Sequence, residues 1–327
     1  MSNNASNTTV IAKFYGVNSR NLQRQYKDYL SDFKQWNQKV HAKQWLLFPK
    51  NIGSYLSLDE TAFSNGDLYT ILTNKKAKGK KGAIVCMVKG TKADTVIEIL
   101  SKIPLKQRRK VKEVTLDMAG NMGLIVKKSF IEATLVIDRF HVQKLALDAL
   151  QQIRIKHRWD ALDAENSAIE KARNNNEKYT PILFSNGDTL KQLLARSRYL
   201  LYKSNSKWTK NQQKRAKILF EHYPDLEKAY KLCQNLSWIF NNTKGKTSAL
   251  IRLAKWDEKV RQAAFKSFNT IARTMSIHYK NILNYFDNRS TNASAESFNA
   301  KIKAFRAQFR GVRNVEFFLF RLTTIFA

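Results

Sequence analysis

Residues 54–63 read SYLSLDETAF, residues 68–73 read LYTILT and residues 83–88 read AIVCMV. The first stretch alternates apolar and polar side chains, and the second is rich in β-branched and aromatic residues. The third is a continuous apolar run, the pattern of a strand buried on both faces. Asn65, Gly66 and Asp67 mark one turn, and the Lys75–Lys81 cluster with Gly79 and Gly82 marks the next. Three consecutive strands with short turns predict an antiparallel meander.

Downstream, Asp94–Lys102 reads as a helix, Val111–Leu116 as a strand, Gly123–Glu132 as a helix and Thr134–Ile137 as another buried strand. The order βββαβαβ describes an α/β unit, a mixed sheet with crossover helices. It places Asp59 and Asp117 at strand ends along one edge, where α/β folds build sites. From Phe140 to about Asn288 the pattern is helical, with breaks near Thr180–Asn186, Pro224 and Thr243–Lys246. This long helical insertion is followed by an amphipathic helix over Ala295–Phe309. No internal repeat is evident.

Upstream, Val10–Leu30 carries Ala12, Gly16 and Leu22 at the spacing of a helix-turn-helix: a small residue at the helix contact, a glycine at the turn and a leucine that docks the second helix. The second helix would turn Arg20, Gln23, Arg24 and Lys27 outward toward DNA. A plain amphipathic hairpin fits the same residues. The expected organisation is a DNA-binding segment and connector over 1–50, a catalytic sheet domain over 51–140 and 289–327, and a helical insertion over 141–288.

The chain has 327 residues, 43% of them hydrophobic, enough for a large core. Its 58 Lys and Arg outnumber 26 Asp and Glu, a formal net charge of +32. That excess points to a polyanion, and cations spread through the chain among aromatics favour nucleic acid over a membrane. No apolar run reaches the roughly 18 residues of a spanning helix, and Met1–Thr9 lacks the regions of a signal peptide. A cytoplasmic, nucleoid-associated protein is expected. Cys86 and Cys233 have no disulfide or zinc spacing and read as core residues.

Metal-dependent phosphoryl transfer needs carboxylates converging from separate elements, because Mg²⁺ takes hard oxygen ligands and must keep positions open for water and phosphate. Asp59 in SLDE, Asp117 in TLDMAGN and Glu296 in NASAESFNAKIKAFR are the candidates. Along the last helix Phe298, Ile302, Phe305 and Phe309 form an apolar face. Glu296, Asn299, Lys303, Arg306 and Arg310 fall on the other stripe, either a metal ligand beside DNA-contacting groups or a solvated charged face. In VIDRFHVQKL, Asp138 ends a strand and His141 follows three positions on. Asp138 is either a helix cap that orients His141 or the rival to Asp117 as second metal ligand. Trp208, Trp238 and Trp256 lie among cations in the insertion, as core residues or as platforms for an unpaired base.

The runs SLDETAF, TLDMAGNM, VIDRFHVQKL and NASAESFNAKIKAFRAQFRGVRN together resemble the DDE transposases of bacterial insertion sequences, of the ISL3 type and its Bacteroidetes relatives. The likeness runs from about Ser54 onward. It implies a ribonuclease-H-like mixed sheet with a large all-helical insertion, preceded by the short helix-turn-helix. It also implies Asp59, Asp117 and Glu296 as ligands of two Mg²⁺ ions, with Mn²⁺ as a substitute, and Asp138 and His141 as an accessory pair. The implied partners are double-stranded transposon ends and target DNA, handled by a homo-oligomer that pairs two ends. Longer relatives carry zinc-binding and further DNA-binding regions at the N-terminus. Two other readings of the same residues are an inactive or truncated transposase-derived DNA-binding protein and a ribonuclease-H-like structure-specific nuclease.

Overall fold

Six strands form one sheet in the order β1-β4-β3-β2-β5-β6. They are β1 (Trp45–Leu47), β2 (Tyr55–Ser64), β3 (Asp67–Asn74), β4 (Ile84–Lys89), β5 (Glu113–Leu116) and β6 (Thr134–Ile137). The computed structural model describes residues 8–64, 67–308 and 314–327; the expected turn at Asn65 and Gly66 and the positions of Phe309 and Arg310 lie outside them. Two units result, one from the segments up to Asp138 and from Asn288 onward, the other from Arg139–Asp287.

In the first unit β2, β3 and β4 pair antiparallel, as the alternation and tight turns demand, and β2, β5 and β6 pair parallel. The connector expected within residues 1–50 contributes a strand of its own: β1 pairs Trp45 with Val88 and Leu47 with Cys86 at the sheet edge. Helices α3 (Ala93–Ser101), α4 (Leu105–Arg108) and α5 (Gly120–Ser129) make the crossovers. α3 and α5 pack together and against the sheet. Gly123 of α5 faces Leu135, which pairs with Val114, so α5 covers the side bearing Leu135 and Val114.

The opposite side is covered by α14 (Ala293–Gln308) and α15 (Val315–Phe326). Phe298, Ile302 and Phe305, spaced at one helical turn, enter a core with Tyr69, Ile71, Phe318 and Leu322. Fully burying each such side chain contributes about 1.5–3 kcal/mol.

At the N-terminal side, α1 (Thr8–Phe14) and α2 (Ser19–Gln25) are joined through Gly16, whose φ of +64° suits a residue without Cβ. Asn18 caps α2 by accepting from the amides of Arg20 (3.0 Å) and Asn21 (3.1 Å). Ala12 is buried at this helix pair. The following segment packs Tyr26 and Phe33 on Phe317 and Phe320 of α15, and the Arg321 guanidinium lies buried between the rings of Tyr26 (5.3 Å) and Phe305 (5.8 Å).

The second unit is helical: α6 (Arg139–Asn174), α7 (Leu190–Arg196), α8 (Arg198–Leu201), α9 (Lys210–His222), α10 (Pro224–Asn242), α11 (Lys246–Ala263), α12 (Lys266–Leu283) and α13 (Tyr285–Asn288), the last ending at the boundary. Pro224 opens α10, where its missing N–H costs nothing. Trp256 is fully buried and donates its indole N–H to the Leu232 carbonyl at 2.9 Å. The buried carboxylate of Asp188 ties α7 to α9 by accepting from Arg196 and, at 2.8 Å, from Arg215. No helix among the described residues is long and apolar enough to cross a membrane.

Candidate metal centre

The parallel register of β2, β5 and β6 brings the acids into one row. Ser57 pairs with Thr115 and Thr115 with Val136. Two residues further along each strand stand Asp59, Asp117 and Asp138, on the face that α14 covers. Neighbouring strands lie about 4.8 Å apart, so the row sets the three acids on adjacent strands, facing one side of the sheet. The buried Asp138 extends the β6 ladder, its amide donating to the Leu116 carbonyl at 2.9 Å.

Asp59 accepts from the Glu60 amide at 2.9 Å through Oδ1 and from Asn299 Nδ2 at 2.8 Å through Oδ2. Asn299 lies three residues after Glu296 on α14, so this bond carries the helix that bears Glu296 onto the acidic row. Asp117 accepts from the Ala119 amide at 2.7 Å and thereby shapes the turn into α5. Carboxylate oxygens of Asp138 and Glu296 lie within 4.8 Å of each other. His141 stands three residues after Asp138, in the first turn of α6. The structure thus brings Glu296 to Asp138. Asp59, Asp117 and Glu296 do not by themselves form a group within 4.8 Å among the described residues.

The donor set suits a divalent cation. The carboxylates of this unit are hard oxygen donors, and like charges brought close repel one another until a cation sits between them. Glu60 registers this field: burial raises its carboxyl pKa, Asp117 and Asp59 raise it further, and a bond from Asn121 opposes them.

Residues that the sequence pattern does not mark also build the site. Lys75, in the lysine-rich turn after β3, is largely buried; its Nζ bonds Thr115 and lies 3.4 Å from Glu113, while Asn288 donates to the other Glu113 oxygen at 3.2 Å. Glu113 and Thr115 alternate with Asp117 on the same face of β5, so this ionic cluster lies directly behind the acidic row. Burial lowers the pKa of Lys75, while Glu113 and Asp138 act to raise it. Asn292, whose carbonyl accepts the Glu296 amide at 2.9 Å, is fully buried with both amide atoms lacking a hydrogen-bond partner among the described residues. Such a group calls for a water or ligand.

Of the expected DNA-contacting residues, Arg20, Gln23, Arg24 and Lys303 are exposed and Arg306 is half-buried. Lys27 is held by Asp28 at 3.8 Å and by the Phe33 ring. Asn299 is engaged with Asp59, and Arg310 lies outside the described residues.

A family model described as a transposase, of the DDE type named for ISL3, matches residues 56–322. A curated relative, the transposase for insertion sequence element IS1001 of Bordetella parapertussis, is 20% identical over 276 residues, 83% of this chain. The chain spans 61% of that relative's length. No solved structure matches.

Proposed function

The chain belongs to the ISL3-type DDE transposase family, and we propose that it cleaves the ends of an insertion sequence and joins them to target DNA. The observation that carries this reading is the row of Asp59, Asp117 and Asp138 on three adjacent parallel strands, with Glu296 brought up to it by α14. Mere DNA binding gives no reason to line three acids along adjacent strands, with a fourth beside one of them, in a protein of charge +32.

Asp59, Asp117 and Glu296 would hold two Mg²⁺ or Mn²⁺ ions, with Asp138 beside Glu296. The ions, when bound, supply Lewis-acid stabilisation of the phosphate and lower the pKa of attacking water. The protein's own part is positional. Asn299 and the Glu60 amide fix the Asp59 carboxylate, the Ala119 amide fixes Asp117, and the β6 ladder fixes Asp138. His141 stands ready beyond Asp138 to contact a phosphate or move a proton. Exposed Arg20, Arg24 and Lys303 neutralise DNA phosphates, Gln23 hydrogen-bonds to the DNA, and α1 with α2 acts as a helix-turn-helix on a ribonuclease-H-like sheet. The active species is a homo-oligomer that pairs two double-stranded ends at the nucleoid.

The test is single-turnover cleavage of end-bearing duplex in Mg²⁺. Asp59→Asn, Asp117→Asn and Glu296→Gln are each expected to reduce cleavage on the order of a thousandfold or more while DNA binding survives. Nicking at the wild-type rate by any one of them removes that residue from the centre. Joined products distinguish a transposase from a nuclease of the same fold.

A further inference from the structure

Within the helical unit a cleft of about 870 Å³ opens beside α10, in the size range of small-ligand sites. One wall is a single stripe of that helix, Gln234, Asn235, Trp238, Asn241 and Asn242, opposite its core face of Leu232, Leu236 and Ile239. Gln143 and Phe140 of α6 and the segment Ser204–Lys207 form the rest.

Three properties define what fits. The lining includes amides and hydroxyls and one lysine, but no Asp or Glu, which suits a ligand attached to phosphate. Amide side chains donate and accept at once, the pairing that base edges require, adenine above all. Trp238 is 48% exposed, and the Arg252 guanidinium lies 4.9 Å from its ring centre while donating to Thr243 at 3.0 Å. The two other tryptophans singled out in the insertion are spent on structure: Trp256 is in the core, and Trp208 stacks on Tyr230 and donates to the Leu200 carbonyl. Gln143 adds a buried Nε2 with no hydrogen-bond partner among the described residues.

We propose that this cleft binds an unpaired nucleobase of single-stranded DNA, stacked on Trp238 and read along its edge by Asn235, Gln234 and Gln143. A paired base keeps its faces against its neighbours, so only an unpaired one offers a ring to Trp238. The inference rests on the DNA-processing reading above and adds to it a site for a separated strand.

The experiment measures binding of the full chain, at fixed salt, to a short oligodeoxyadenosine, to the same sugar–phosphate strand stripped of its bases, and to end-bearing duplex. The wild type is expected to prefer the strand with bases by about tenfold, what one stacked base supplies. Trp238→Ala should bring that ratio close to one and Trp238→Phe should keep most of it. Duplex affinity should stay within about twofold in both. Gln234→Ala/Asn235→Ala, which spares the aromatic platform, should lower the adenine strand relative to an oligothymidine. An unchanged base preference in Trp238→Ala, with duplex cleavage intact in the wild type, overturns the cleft and leaves the transposase reading standing. Failure of the wild type to bind any of the three DNAs overturns both.

Discussion

Replacing Asn299 by Ala removes the donor that stands 2.8 Å from Asp59 Oδ2 and leaves the Glu60 amide, 2.9 Å from Oδ1, to hold the other oxygen. A hydrogen bond to a charged acceptor is worth about 1.5–3 kcal/mol. Both side chains are half-buried, so water replaces part of what is lost and the low end applies, about 1.5 kcal/mol. At 1.36 kcal/mol per factor of ten, Asn299→Ala should cleave about tenfold more slowly under single-turnover conditions with saturating protein. That is far less than the loss expected for Asp59→Asn, because the carboxylate remains and only its orientation is freed. Asn299→Asp sets a second negative charge against Asp59, so it should be slower still and recover in part as Mg²⁺ is raised. A thermal melt close to wild type guards against a folding defect. A rate within twofold of wild type, or one as low as that of Asp59→Asn, would refute a positioning role for Asn299.

Two further outcomes concern stability. Lys75→Met strands the buried Glu113 carboxylate and should destabilise the fold by about 3–5 kcal/mol in urea unfolding, whereas Lys75→Met/Glu113→Gln should regain at least half of the loss; equal midpoints for the two variants would contradict the pairing. Burial, followed by the charge of Asp67, pushes the Tyr69 phenol up to about 12, above its ordinary value of 10.0. The unfolded chain therefore releases this proton first. The stabilisation is complete below pH 10 and drains away toward pH 12, and Tyr69→Phe should flatten that part of the stability profile. An unchanged alkaline slope in Tyr69→Phe would assign the loss to other groups.

The sheet was legible wherever burial and period coincide. Thr134–Ile137 has the observed limits of β6 because an apolar run ending at a charged residue can only be a short buried strand here. The phase of α14 was equally open, since Phe298, Ile302 and Phe305 leave one choice of inward face. β1 escaped because three residues of an edge strand carry no period, and its pairing is set by β4. The acids could be named from the sequence, but their grouping could not, because it depends on a register between strands far apart in the chain. Lys75 was hidden for a different reason. A lysine among lysines reads as solvated, and only the Glu113 and Thr115 that meet it mark it as interior. Asn299 was legible as part of a polar stripe; that the stripe faces Asp59 is a tertiary fact.

The unit that bears the acids is sewn from both sides of a 149-residue interruption, Arg139–Asp287. A ribosome therefore delivers Asp59, Asp117 and Asp138 long before Glu296, and the Phe326 carbonyl that accepts the Ala83 amide at 2.8 Å later still. Nascent chains halted anywhere in the interruption would carry α1 and α2 without Glu296. On the proposed function, competence to break DNA would be deferred until translation has passed the helix that bears Glu296.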